Sequence, residues 1–339
     1  MDIEDPSQLR SYLAQRGYPM VSSGALAGGV SNRTILVQLA DGGAIVVKQA
    51  RNRLQSQSEW YCDPGRIRQE ALAMGRLAKW TKPGSIPQLR FFDEPNHILA
   101  MEAIPQPHYE WKRQLLAGQI EDSSFQQFGE LLATVHTGSY HEAPAVEPLF
   151  RDQSFFFALR LEAYYLFTAE RVPEASGFLH QLVEDCQTRR FALVHGDYSP
   201  KNVLLKDEHM VLLDHEAAHF GDPTFDVGFA LTHLLSKALH LRLYREDLRR
   251  GAQRFWHAYQ TCLPPAAEFS SISERSVRQT LGCCLARVAG KSLLEYLTPE
   301  ERIEQRATVL DLISSPPPHV EDLIDIFVDR VSHVKRDGR

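Results

Sequence analysis

One stretch, from Val194 to Asp226, limits what this chain can fold into more than any other. It reads Val194-His195-Gly196-Asp197-Tyr198-Ser199-Pro200-Lys201-Asn202 and runs straight into Val203-Leu204-Leu205. After a polar break at Lys206 to His209 come Val211-Leu212-Leu213-Asp214-His215-Glu216, then Gly221-Asp222-Pro223-Thr224-Phe225-Asp226. Two short apolar runs flanking a charged turn predict a β-hairpin. Asp197 and Asn202 then lie on the loop entering the first strand, and Asp214 and Glu216 lie just past the end of the second. Such a hairpin gathers four oxygen-bearing side chains, a set that suits a hard cation such as Mg2+.

Phosphoryl transfer to an alcohol needs a carboxylate near the attacking hydroxyl and metal-binding oxygens on the phosphates. His-Gly-Asp, an Asn five residues after the Asp, and an Asp ending the next strand supply both. Singly, each would fit an ordinary acidic hairpin; the ordered set does not. The pattern resembles the protein-kinase-like catalytic loop in its small-molecule form, as in aminoglycoside phosphotransferases, choline kinases and methylthioribose kinases. The resemblance implies Asp197 as catalytic carboxylate, Asn202 and Asp214 as Mg2+ ligands, and ATP as donor. Glu216, in an Asp-x-Glu with Asp214, is implied as a further metal ligand. His195 has a structural place in that motif, beneath the loop. Asp226 is implied to tether the loop backbone, although a plain helix-cap role fits it equally.

The N-terminal third reads as strands. Leu26-Ala27-Gly28-Gly29-Val30-Ser31-Asn32 leads into Thr34 to Leu39, Asp41-Gly42-Gly43 is a hairpin turn signal, and Ala44 to Gln49 is the next strand. Gly28 and Gly29, followed by Ser31 and Asn32, can expose backbone N–H groups to phosphate. Lys48 on the following strand can reach the α- and β-phosphates, as the strand lysine of kinases does. Arg51 to Pro64 is a polar insertion containing Trp60. A helix from about Gly65 to Trp80 carries Glu70, which the resemblance makes the ion-pair partner of Lys48. Leu89 to Phe92 and His97 to Met101 form a second hairpin, and the Pro-punctuated run 102–107 marks a lobe boundary. In kinase-like folds this hinge offers backbone groups to adenine, assigned by resemblance to Glu102 and Ile104.

The rest is mainly helical. Apolar residues at helical spacing predict helices at 125–136, 178–186, 225–239, 246–261, 273–289, 299–313 and 319–331. Arg151 to Phe167 is aromatic-rich and reads as core packing. The expected architecture is α+β and bilobal, protein-kinase-like. A β-rich N-terminal nucleotide-binding lobe covers 1–101, a hinge 102–107, and a mainly helical lobe with catalytic loop and acceptor site 108–339. Lys48-Gln49-Ala50, the insertion with Trp60 and the Asp-x-Glu resemble methylthioribose kinases, whereas Asn202 resembles the aminoglycoside and choline kinases.

Two other motifs compete. Gly290-Lys291-Ser292 lacks the upstream Gly and leading strand of a P-loop, because position 285 is Leu285 inside a helical pattern. Arg287 and Lys291 nearby can meet an anionic or hydroxyl-rich substrate, and Arg287 is the substrate candidate. His215-Glu216-Ala217-Ala218-His219 matches HExxH, which needs one helix through both His. A strand before it and Gly221-Asp222-Pro223 after it argue against a zinc peptidase. The intact Lys48, Asp197, Asn202 and Asp214 argue against a non-catalytic nucleotide-binding module.

The sequence therefore predicts ATP- and Mg2+-dependent transfer of the γ-phosphoryl group to a hydroxyl of a small, sugar-like metabolite, with an aminoglycoside antibiotic as the alternative acceptor. A net charge of −6 favours neither nucleic acid nor an anionic membrane surface. No apolar run is long enough to span a bilayer, and the acidic start Met1-Asp2-Ile3-Glu4-Asp5 is no signal peptide. Five irregularly spaced cysteines point to free thiols in a reducing compartment, hence the cytoplasm.

Overall fold

Asp5 accepts hydrogen bonds from the amides of Ser7 and Gln8, and Pro6 needs no partner at the first helical position, so a helix starts at once, Pro6–Ala14. It packs on a five-stranded antiparallel sheet in the computed structural model, which describes residues 1–26, 31–54 and 59–333. The strands are β1 (Met20–Ala25), β2 (Asn32–Leu39), β3 (Ala44–Ala50), β4 (Leu89–Asp93) and β5 (Ile98–Glu102), in the order β1-β2-β3-β5-β4. At the predicted turn Gly42 takes φ +85°, and the Asp41 carboxylate accepts from the Gly43 amide at 2.9 Å.

The alternation of side chains decides the two faces. Ile35, Val37, Ile45, Val47, Ile98 and Ala100 pack with Leu9, Tyr12 and Leu13 of the first helix. Leu99 and Met101 turn the other way, into the core that contains Ile67, Ala71 and Met74 of the helix Arg66–Trp80. Lys48 follows Val47 and pairs across the sheet with Leu99, so its side chain emerges on the Arg66–Trp80 side.

The helical part follows the predicted spacing closely. It contains Asp122–His141, Ser176–Thr188, Thr224–His240, Arg245–Thr261, Ile272–Ala289, Pro299–Ser314 and Val320–His333. Thr298 and Glu301 cap Pro299–Ser314 with a reciprocal capping box. The short helices Trp111–Leu116 and Ala143–Phe150 carry too few turns to leave a clear period in the sequence. Phe157–Leu166, within the aromatic-rich stretch, winds as a π-helix and buries Tyr164 and Tyr165. That winding is rare and concentrates at functional sites.

The predicted hairpin is present as Val203–Lys206 paired with His209–Leu212. A second pairing, Ala192–Val194 with His219–Gly221, is too short for periodicity to reveal. It settles the HExxH question. His219 lies in a strand, its ring stacked on Phe156 at 3.8 Å between centroids and its Nδ1 beside the Ala217 carbonyl at 3.0 Å. The two histidines share no helix, so they cannot act as the paired ligands of that motif. No helix among them is long and apolar enough to cross a membrane.

Candidate active site

The catalytic loop is held from below. Gly196 takes φ +77°, and a Cβ there would stand 2.7 Å from the Ala217 carbonyl oxygen, so only glycine fits. The buried Asp226 carboxylate accepts from the amides of His195 at 2.6 Å and Gly196 at 2.8 Å, with His136 Nε2 at 3.2 Å. Asp226 thus does tie down the loop. The amide of Asp197 donates to His195 Nδ1 at 3.2 Å, so Nε2 donates to the Leu213 carbonyl at 3.1 Å. Burial holds the pKa of His195 below its ordinary value. This imidazole is neutral and occupied at both nitrogens, which suits a strut and not a base. Asp226→Ala should cost about 2–6 kcal/mol, because the buried amides of His195 and Gly196 lose their acceptor, at roughly 1–3 kcal/mol each. Urea unfolding measures it.

Asp197 is gripped on both oxygens. Asn202 Nδ2 donates to Oδ2 at 2.6 Å, and Arg160 Nη2 pairs with Oδ1 at 3.0 Å. Arg160 also donates through Nε to the Gly196 carbonyl at 2.6 Å. Sequence reasoning passed over Arg160, which comes from the π-helical turn.

Lys48 Nζ stands between two carboxylates, 2.7 Å from Glu70 Oε1 and 3.0 Å from Asp214 Oδ1. Burial alone would pull its pKa down, but Asp214 and Glu70 outweigh burial and raise it. For Glu70 burial wins and the pKa rises, with Lys48 opposing. Asp214 feels the same burial, but Lys48 outweighs it and the pKa falls. Asp214 sits at φ +67°, which turns the chain sharply at the strand end.

A cleft of about 740 Å³ opens between the sheet and this loop. Ser31, Asn32, Lys48, Glu102, Ile104, Asn202 and Asp214 all line it. Gly28 and Gly29 lie outside the described residues. Glu216 is buried against the helix Arg66–Trp80, where its Oε2 accepts from Arg66 Nε at 3.0 Å and Asn32 Nδ2 at 2.9 Å. Arg66 also binds the carbonyls of Ser31 and Arg51 at 2.5 and 2.8 Å. Sequence reasoning missed Arg66 too, although it sits four residues before Glu70, on the same helix face. Arg287 is buried away from the cleft, its Nη1 3.2 Å from the Tyr164 hydroxyl and 2.6 Å from Ser292 Oγ.

The donor set fits a hard divalent cation. Asn202 spends its Nδ2 on the carbonyl and carboxylate of Asp197, which leaves its amide oxygen for a metal. Asp214 faces the same cleft and has Lys48 Nζ 3.0 Å from its Oδ1. Glu216 has one oxygen committed to Arg66 and Asn32 and the other not.

A strand lysine clamped by a helix glutamate, a loop aspartate gripped on both oxygens and a metal-competent Asn–Asp pair describe a kinase-like small-molecule phosphotransferase. Residues 24–269 match the phosphotransferase enzyme family, and the chain belongs to it. It is 26% identical over 275 residues to a methylthioribose kinase of Citrobacter koseri, covering 68% of this chain and 67% of that one. It is 25% identical over 221 residues to a methylthioribose kinase of Escherichia coli O45:K1, covering 56% of this chain and about half (52%) of that relative's length. In fold it is similar to a choline/ethanolamine kinase family protein of Mesorhizobium loti, with a TM-score of 0.58 at 17% identity, covering 96% of this chain and 98% of that one.

Proposed function

We propose that this phosphotransferase uses ATP with Mg2+ to phosphorylate a hydroxyl of a small, sugar-like metabolite in the cytoplasm. The observation that carries the reading is the convergence of Lys48, Asn202 and Asp214 on one cleft, with Asp197 hydrogen-bonded to Asn202 at its edge. Residues 1–101 would hold the nucleotide, 102–107 act as hinge, and 108–339 supply the catalytic loop and acceptor site. Glu102 and Ile104 would meet the adenine, and Ser31, Asn32 and Lys48 the phosphates; all five line the cleft. When bound, Mg2+ would neutralise phosphate charge as transfer proceeds. Asn202 and Asp214 would hold it, with Glu216 contributing through its uncommitted oxygen. Asp197 would orient the acceptor hydroxyl and take its proton, while Arg160 keeps the carboxylate aimed.

Methylthioribose, which the curated relatives' names give as their acceptor, supports the sugar-like class. An aminoglycoside is the second reading. A phosphoryl-transfer screen over sugars, amino alcohols and aminoglycosides, with ATP and GTP, tests the whole. Asp214→Ala should abolish Mg2+-dependent turnover on the acceptor found. Wild-type activity in that variant would overturn the metal assignment, and absence of Mg·ATP binding in calorimetry would overturn the function.

A further inference from the structure

Five cationic side chains are buried among the described residues: Lys48, Arg66, Arg160, Lys237 and Arg287. Three have a carboxylate within ion-pair distance, namely Lys48 with Glu70 and Asp214, Arg66 with Glu216, and Arg160 with Asp197. Lys237 and Arg287 have none among the described residues. A buried charge without a counter-charge is strongly unfavourable, so two buried basic side chains without a carboxylate partner ask for an explanation.

They lie on the helices Thr224–His240 and Ile272–Ala289, which pack together. Lys237 Nζ makes one hydrogen bond, to the His233 carbonyl at 3.2 Å, and lies 5.0 Å from the centre of the Tyr296 ring. Burial, and then the nearby charge of Lys112, pulls its pKa down to about 7. Arg287 meets only neutral acceptors, Tyr164 and Ser292, and its Nε has no partner. His233 Nδ1 and the Tyr296 hydroxyl are buried without partners as well. Glu295, whose charge acts on Lys237, is itself paired with Lys112. The cluster adjoins the reacting centre. The Tyr164 ring has the Arg160 guanidinium 5.5 Å from its centre and the Arg287 guanidinium 5.6 Å from it, and Arg160 is the arginine that grips Asp197.

We propose that Lys237 and Arg287 form an anion site, and that the acceptor alcohol carries a carboxylate or phosphate which they bind while its hydroxyl lies at Asp197; this rests on the phosphotransferase reading above. Ser292 stands where the anion would bind Arg287, as a neutral acceptor from the connection between two helices. Two basic side chains without a carboxylate partner also work against a cationic acceptor such as an amino alcohol or an aminoglycoside.

The test fills the nucleotide cleft with Mg·AMP-PNP and follows Tm while inorganic phosphate, D-glycerate, glycerol or ethanolamine is titrated. At least one anion should stabilise the wild type saturably, whereas glycerol and ethanolamine should not. Comparing phosphate with D-glycerate tells which anion is preferred. Lys237→Met and Arg287→Met should each weaken that binding at least tenfold, and Lys237→Gln serves where a Met variant folds poorly. Wild-type turnover on ribose, ribonate and ribose 5-phosphate gives a second readout that needs no variant, and an anionic member should lead in kcat/KM. Absence of saturable anion stabilisation, its persistence in the double variant, or preferred turnover of the neutral sugar would overturn the anion site and leave the kinase reading standing. Saturable anion binding with no transfer to any acceptor would uphold the site and overturn the kinase reading.

Discussion

Asp197→Asn should lower kcat by about 10²–10⁴-fold, the usual contribution of a positioned general base and roughly 3–5 kcal/mol of barrier. The substitution keeps the shape of the side chain and removes its capacity to take a proton. Asn202 can still approach the remaining oxygen and Arg160 can still reach the Gly196 carbonyl, so the loop should keep its form. Affinity for ATP should stay close to wild type, because the phosphate and metal groups are untouched. Steady-state ATP consumption with an identified acceptor measures the first quantity and calorimetry the second. His219→Ala is the matched control. Its ring stacks on Phe156 and its Nδ1 meets the Ala217 carbonyl, with no residue of the cleft among these partners, so ATP turnover should persist in whatever fraction folds. Unchanged kcat in Asp197→Asn would remove Asp197 from the mechanism.

Lys48→Met should lower turnover by about 10²–10³-fold, the size of effect seen when one preorganised charge partner of a transition state is lost. It should also destabilise the fold by about 3–5 kcal/mol, since Glu70, whose side chain is 1% accessible, would be left as a buried carboxylate without its cation. The two effects separate in the double variant Lys48→Met/Glu70→Leu. An apolar pair of similar volume can replace a buried ion pair at little cost, so unfolding should return towards wild type while turnover stays low. Recovery of turnover together with stability would show that Lys48 serves the fold and not the phosphates.

The residues legible in the sequence were those whose meaning lies in linear spacing. Asp197, Asn202 and Asp214 are tied by one short hairpin, and Lys48 and Glu70 by a strand and the helix after it. The helices after Thr224–His240 were legible because each buries a stripe at a period close to 3.6, and Thr224–His240 because its apolar run is long. Arg160 was not, because its role depends on a π-helical turn that no apolar period announces, and a lone arginine among aromatics looks like packing. Glu216 was legible as an acidic residue beside the metal loop. Its partner Arg66, 150 residues away in sequence, appears only once the helix Arg66–Trp80 is docked. Lys237 was hidden inside a helix apolar almost all round, where a single lysine breaks no pattern.

Glu216 binds Arg66 and Asn32 from the other side of the cleft, and the indole of Trp60 donates to the carbonyl of Ala158 at 3.1 Å. The sheet half is therefore attached to the helical half by more than the chain that follows Glu102: by these contacts, by the Lys48–Asp214 pair, by the Leu212 amide on the Ser85 carbonyl at 2.8 Å and by the Trp80 indole on Glu142 at 3.0 Å. Separating the halves would break these contacts together and strip a fully buried guanidinium of its carboxylate. Heat should therefore melt the two halves in one transition, and a calorimetric scan with two separate peaks would contradict that.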